Sequence, residues 1–217
     1  MHPLAFDIRG LYAIADTGTI DDAELVEKVG QVLEGGCRVL QYRDKSNDKE
    51  KRLQQATELR GMCRHSSTVF IINDDAELAM QVNADGVHCG RDDAAISETK
   101  SRYPGLLIGA SCYNSLERAR QVAGEGADYL AFGRFFSSQT KPEAVAADID
   151  ILQQAKQQFE QPIVAIGGIM TENAGILISS GASAVAVISG VFCATDPYLS
   201  SKEICALFNI ANNMNNA

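Results

Sequence analysis

The stretch LYAIADTGTIDDAELVEKVGQVLEGGCRVLQYR, residues 11–43, decides the architecture. It opens with Leu11–Asp16, a short apolar run of strand length, and closes with another, Cys37–Arg43. Between them Ala23, Leu25, Val26, Val29, Val32 and Leu33 recur at helical spacing, and Gly35-Gly36 supplies a helix stop. Strand, helix and strand in that order call for a parallel pair joined by a right-handed crossover.

Six further runs of strand length follow: Val69–Asp74, Gly86–Gly90, Leu107–Tyr113, Tyr129–Phe136, Ile163–Ile169 and Ala184–Gly190. Helical spacing returns in Leu53, Ala56, Leu59 and Met62 and in Leu116, Ala119, Val122 and Ala123, while Pro162 closes the helix before the seventh run. Eight such units predict an α/β fold, a closed (β/α)8 TIM barrel in a single domain, with an open doubly wound sheet as the alternative. The domain takes in residues 1–217, with its core over about 11–208 and the Asn-rich 209–217 as a frayed tail. Because the typical barrel of this class has about 250 residues, the lower loops must be short and the longer gaps functional. Those gaps are Asp44–Thr68 and Ser137–Pro162, and both begin with polar, charged segments.

Nineteen basic against 28 acidic residues leave a formal charge of −9, which is no footprint for nucleic acid or an anionic membrane surface. Phosphorylated substrates would therefore need local cations, backbone N–H groups or a metal to overcome the global field. The N-terminus MHPLAFDIRG has no secretory pattern, and no stretch has the roughly 18 consecutive apolar residues of a membrane span, so a cytoplasmic protein is expected. Cys37, Cys63, Cys89, Cys112, Cys193 and Cys205 are dispersed without a C-x-x-C pair, and read as reduced, mostly buried thiols.

Active sites of such barrels form at the C-terminal ends of the strands, so the residues standing there carry the functional reading. The second run ends in Gln41-Tyr42-Arg43-Asp44-Lys45, where strand alternation points Gln41, Arg43 and Lys45 the same way. This row reads either as an anion grip or as a surface salt-bridged to Asp44, Asp48 and Glu50. Asn73-Asp74-Asp75 and Arg91-Asp92-Asp93 put carboxylates on adjacent strand tips, a repulsion that a divalent cation removes, and hard oxygen ligands favour Mg²⁺. Asp74 and one of Asp92 and Asp93 are assigned to the metal, with Asp75 left as a helix cap.

His88 lies inside a strand and is read as a hydrogen-bonded structural histidine; His2 and His65 carry no signal. Ser111 has no elbow motif or His/Asp partner in its neighbourhood, which makes it a binder at most. Gly167-Gly168 and Ser189-Gly190 end consecutive late strands, where such barrels cradle phosphate on backbone amides. Two anionic regions follow: a metal-assisted one over strands two to four, and a backbone cradle over strands seven and eight.

QYRDK at 41–45, IND at 72–74, DGVHCGRDD at 85–93, GRFFSSQTK at 133–141, AIGGI at 165–169 and VIS at 187–189 resemble, in order, the motifs of the thiamine-phosphate synthase family. The resemblance spans about residues 11–197. It implies a transferase that joins 4-amino-2-methyl-5-hydroxymethylpyrimidine diphosphate to a thiazole phosphate with Mg²⁺, releasing pyrophosphate. By that resemblance Gln41, Arg43, Lys45, Asn73, Ser111 and Lys141 hold the pyrimidine diphosphate, with Arg43, Lys45 and Lys141 catalytic. Asp74 and Asp93 bind Mg²⁺, and Ser138, Gln139, Thr140, Gly168, Ile188 and Ser189 receive the thiazole phosphate.

The chain departs from the family at Asp75, where Arg is frequent, and at Ser137-Ser138, where Pro-Thr is frequent; Arg91 stands as a compensating cation. The runner-up readings are the related thiazole tautomerase branch and a non-catalytic module that binds thiamine phosphates. Small molecules are the expected partners, and a homo-oligomer is compatible with the sequence.

Overall fold

The computed structural model describes residues 8–90, 95–137 and 146–215. Within them the chain alternates strand and helix: β1 Gly10–Asp16, α1 Leu25–Glu34, β2 Val39–Arg43, α2 Lys49–Ser66, β3 Val69–Asn73, α3 Ala76–Gln81, β4 Gly86–Cys89 and α4 Ile96–Arg102. The second half runs β5 Leu107–Tyr113, α5 Leu116–Gly124, β6 Tyr129–Gly133, α6 Asp150–Gln158, β7 Ile163–Ile166, α7 Thr171–Ser179 and β8 Ala184–Val187, then α8 Ser189–Phe192 and α9 Pro197–Asn215. The strands pair in sequence order, all parallel, and β8 closes on β1. The structure is the expected barrel, not the open sheet.

Alternation along each strand divides the apolar residues between two cores. Tyr12 and Ile14 join Val39, Ile71, Leu107, Tyr129 and Val164 inside the barrel, whereas Leu11, Ala13 and Ala15 face the helices. The helices meet that outer layer with one stripe each, as Leu25, Val29 and Val32 do on α1. Each such fully buried Val or Leu contributes about 1.5–3 kcal/mol relative to exposure.

One device recurs where helices return to the lower end of the barrel. Gly36, Ser67, Asn83, Gly126 and Gly181 have positive φ, and the residue after each donates its N–H to the carbonyl five positions back, as Cys37 does to Val32 and Ala127 to Val122. These are Schellman ends, which satisfy orphan helix carbonyls and turn the chain straight into the next strand. Next to two of them an aspartate binds across the sheet: Asp85 accepts from the Phe70 N–H and pairs with Arg60, and Asp128 accepts from the Ile108 N–H and pairs with Lys100.

Five strands end earlier than their sequence runs, β3 and β4 by one residue and the last three by three. β6 stops at Gly133, β7 at Ile166 and β8 at Val187, because Gly133 and Gly167 at positive φ and Ile188 at the N-cap of α8 leave the extended conformation that the ladder needs. Helix α9 carries the chain as far as Asn215, into the Asn-rich end. Helix α9 packs its earlier turns, including buried Ser201 and Ile204, beside α1, α7 and β1, which anchors a C-terminal stretch of weak intrinsic helix propensity.

Candidate functional site

Strand β2 delivers its row as alternation dictates. Tyr42 points outward and its hydroxyl donates to Gln55 on α2, while Gln41 is buried in the barrel and Arg43 emerges at the rim. Arg43 pairs with Asp16, its register partner on β1, at 2.6 Å. Asp16 is 3% exposed and also accepts from the Gly18 N–H, so the guanidinium is held from one side by a fixed carboxylate. The alternative surface network with Asp44, Asp48 and Glu50 does not form around Arg43. Asp44 is instead bound by Thr17, Ser46 and Lys51, and Asp48 caps α2. Burial would raise the Asp44 carboxyl, but the Ser46 and Thr17 hydrogen bonds and the Lys51 charge outweigh it and hold it below the usual carboxylate range.

Lys45 and Asn73 both bind the Asp74 carboxylate, Asn73 Nδ2 at 2.6 Å. Asp74 has φ +62°, a conformation aspartate tolerates better than most residues, and its N–H donates to the His88 carbonyl. Asp75 caps α3 by accepting from the Leu78 N–H, as the sequence predicted, and pairs with Arg52 at 2.8 Å. A cation thus stands beside the position where the family's arginine is missing. A cavity of about 500 Å³ opens along this edge, lined among others by Lys45, Asn73, Asp74, Arg52 and Arg102.

Ser111 corrects the reading that it has no histidine partner. His88, one strand away on β4, brings Nε2 to 3.0 Å from Ser111 Oγ. The other ring nitrogen meets the Tyr129 hydroxyl at 3.0 Å, where a nucleophilic triad would place a carboxylate to stabilise the imidazolium, so the pair does not constitute an activated serine. His88 is the hydrogen-bonded histidine expected from sequence. Tyr129 in turn meets Tyr12, and Tyr12 receives Gln41, which links two candidate ligand-binding residues through the barrel interior. Burial pushes both tyrosine hydroxyls above their ordinary range, so they remain protonated. Arg118 braces the same tip, donating to the carbonyls of Ser111 and Gly90.

At the opposite side of the mouth, Gly167 and Gly168 have φ +107° and +65°. A Cβ at Gly168 would lie 2.3 Å from the Ser137 carbonyl oxygen, and one at Gly167 2.3 Å from Arg134 Cβ. The demand for glycine here therefore comes in the first place from the segment after β6 crossing over the turn. Asn173 holds that turn at both ends, donating to the Gly168 carbonyl and accepting from the Met170 N–H. Ile188 packs against the inner core, and Ser189 opens the short α8.

Asp92, Asp93, Arg91, Ser138, Gln139, Thr140 and Lys141 lie outside the described residues. Among the described residues no group of three His, Cys, Asp or Glu side chains could hold a metal. Mg²⁺ characteristically takes only one or two protein carboxylates and fills its shell with water and phosphate, so the Asp74 carboxylate at the rim fits the donor chemistry that such an ion needs.

Sequence reasoning missed Asp16, Tyr12, Tyr129, Arg118 and Asn173. Asp16 had a readable signal, a carboxylate at the tip of the first strand; Tyr12 and Tyr129 meet only through strand register, whereas Asn173 and Arg118 act on nearby backbone carbonyls and N–H groups that residue type alone does not single out.

Residues 11–191 match the family model described as thiamine monophosphate synthase. The thiamine-phosphate synthase of Alcanivorax borkumensis is 47% identical over 190 residues, covering 87% of this chain and 88% of the relative. That of Chromobacterium violaceum is 46% identical, with 93% and 97% covered. Among solved structures, thiamine phosphate pyrophosphorylase from Pyrococcus furiosus superposes with a TM-score of 0.88 at 32% identity, covering 96% of this chain and 99% of that one. A 3-hexulose-6-phosphate synthase, at 16% identity and a TM-score of 0.66, shares the fold alone.

Proposed function

The chain belongs to the thiamine monophosphate synthase family of transferases, and from that premise we propose that it joins 4-amino-2-methyl-5-hydroxymethylpyrimidine diphosphate to 4-methyl-5-(2-phosphooxyethyl)thiazole or its carboxylate. The products are thiamine phosphate and pyrophosphate. The observation that carries this reading is the grouping of Arg43, Lys45, Asn73 and Asp74 at the adjacent tips of β2 and β3, with Gln41 on β2 linked through the barrel interior to Ser111 on β5.

In the proposed reaction the C–O bond to the diphosphate breaks and its electron pair leaves with pyrophosphate. The electron-rich aminopyrimidine stabilises the benzylic-type cation, and the thiazole nitrogen lone pair then forms the new C–N bond. No protein nucleophile or general base takes part. Arg43, Lys45 and Lys141 offset charge on the leaving group, and Asp16 fixes the Arg43 guanidinium before the substrate arrives. Asp74 with Asp93 would hold Mg²⁺, which supplies positive charge to the leaving diphosphate when bound. Gly168, Ile188 and Ser189, with Ser138, Gln139 and Thr140, are assigned to the thiazole phosphate, the position where late-strand loops and a short helix bind phosphate in such barrels.

A cytoplasmic setting belongs to the same reading: four of the six cysteines are buried and no disulfide joins them. Among the described residues no helix is long and apolar enough to cross a membrane. Incubating the purified protein with both substrates and Mg²⁺ and measuring thiamine phosphate and pyrophosphate tests the proposal. Stoichiometric formation of both is expected; saturable binding of both substrates without product would replace the transferase by a binding module.

A further inference from the structure

Five polar side chains run end to end through the barrel. Gln41 Nε2 donates to the Tyr12 hydroxyl at 2.7 Å, the Tyr12 and Tyr129 hydroxyls lie 2.8 Å apart, Tyr129 reaches His88 Nδ1 at 3.0 Å, and His88 Nε2 reaches Ser111 Oγ at 3.0 Å. Tyr12, Gln41 and Tyr129 are at most 3% exposed, and His88 is 9% exposed. The chain is therefore shielded from water along most of its length, with Gln41 buried at one end and Ser111 partly exposed at the other.

Proton counting gives the chain a direction. The Gln41 amide fills one lone pair of the Tyr12 oxygen, and the Tyr12 proton then goes to Tyr129. Tyr129 donates its hydroxyl in a hydrogen bond to His88 Nδ1, so the imidazole in this order carries its hydrogen on Nε2 and donates to Ser111. With the Gln41 amide in this orientation the reverse order would make Tyr12 accept from both neighbours and leave its own proton without an acceptor in this chain, an arrangement burial penalises; reversal therefore requires the Gln41 amide to turn over as well. Two consequences appear at the mouth: Gln41 has its amide oxygen left to accept, and Ser111 has its hydroxyl proton left to give.

We propose that this buried relay of Tyr12, Tyr129 and His88 sets the donor and acceptor pattern with which Gln41 and Ser111 read the pyrimidine ring. The proposal rests on the pyrimidine diphosphate reading above. A 4-aminopyrimidine presents the complement, an exocyclic N–H for the Gln41 oxygen and a ring nitrogen for the Ser111 hydroxyl. A 4-oxopyrimidine presents the opposite, a carbonyl oxygen and a ring N–H, and meets two mismatches unless the whole chain reverses. Tyr12, Tyr129 and His88 are positioning residues in this scheme, since none is required to touch the substrate.

Two measurements test it on the full-length protein. Nitrogen-15 NMR of histidine-labelled, ligand-free protein, with His88 assigned by comparison with His88→Gln, is expected to show the Nε2–H tautomer; the Nδ1–H tautomer overturns the direction whatever the substrate proves to be. Steady-state kinetics of Tyr129→Phe, which removes one link and keeps the ring, are the second. The KM for the aminopyrimidine diphosphate is expected to rise about tenfold, the preference for it over the 4-oxo diphosphate to fall about tenfold, and the KM for the thiazole phosphate to stay unchanged. Unchanged selectivity, or an equal loss toward both substrates, overturns the relay and leaves the hydroxyls a structural role. A wild-type protein that forms no thiamine phosphate overturns the substrate reading instead, a result distinct from turnover with unaltered selectivity.

Discussion

Asp16 and Arg43 face each other in the β1–β2 register, and their side chains meet at 2.6 Å with the carboxylate almost wholly buried. The cation that stands ready for a diphosphate is thus aimed by a neighbour that also cancels part of its charge. Replacing Asp16 by Asn keeps the shape and removes the anchor. We expect Asp16→Asn to lower kcat/KM for the pyrimidine diphosphate about tenfold and to cost roughly 1–3 kcal/mol in urea unfolding. A variant as stable and as active as the wild type would show that Arg43 needs no such anchor.

Gly109 and Tyr129 are register partners, and a Cβ at position 109 would lie 1.9 Å from the Tyr129 ring carbon Cζ. The ring is fully buried and cannot swing out into solvent. Gly109→Ala should therefore destabilise the barrel by about 1–3 kcal/mol or more through overpacking, and break the hydroxyl chain as well. Adding Tyr129→Leu should restore much of the stability but not the pyrimidine selectivity. Additive losses in the double variant would argue that the two positions do not meet.

The Asp44 carboxyl is held below its ordinary range in the folded chain, so its stabilising effect is present above the unfolded pKa and is lost as pH falls through the folded one. Thr17 donates one of the hydrogen bonds responsible. Thr17→Val is expected to move acid unfolding to higher pH, with the stability deficit largest near neutrality and shrinking as Asp44 protonates. A deficit that grows on acidification would contradict the sign. Denaturant curves at several pH values read it directly.

Asp74→Asn and Asp93→Asn should each cut the rate about a hundredfold and raise the Mg²⁺ concentration needed for half-maximal activity. Asp74 also binds Lys45 and Asn73, so its variant disturbs the diphosphate side too. Near-normal rates for both variants at saturating Mg²⁺ would remove the metal assignment.

Sequence periodicity located all eight strands, and their N-terminal limits lie within two residues of the runs read from it. The C-terminal limits of β6, β7 and β8 ran too long because the apolar pattern continues into Phe135 and Ile169, which join the outer core between sheet and helices, and into Ile188, which packs on the inner core, all without extending the ladder. Gln41 and Arg43 were legible as one face because strand alternation is rigid. Their partners were not: Tyr12 and Asp16 sit on another strand, and Tyr12 meets Tyr129 across a separation of 117 residues. Composition carries no information about register, so pairwise chemistry of this kind stays hidden until the sheet closes.

The crossing of the Phe136-Ser137 backbone over Gly168 has a consequence for how this protein diversifies. The two loops share one thickness of main chain, so neither can change width independently. Substitutions that widen residue 168 must co-vary with a retreat at 136–137. Engineers who transplant the β6 loop to accept a different phosphate ester will have to move the β7 turn with it as a single cassette.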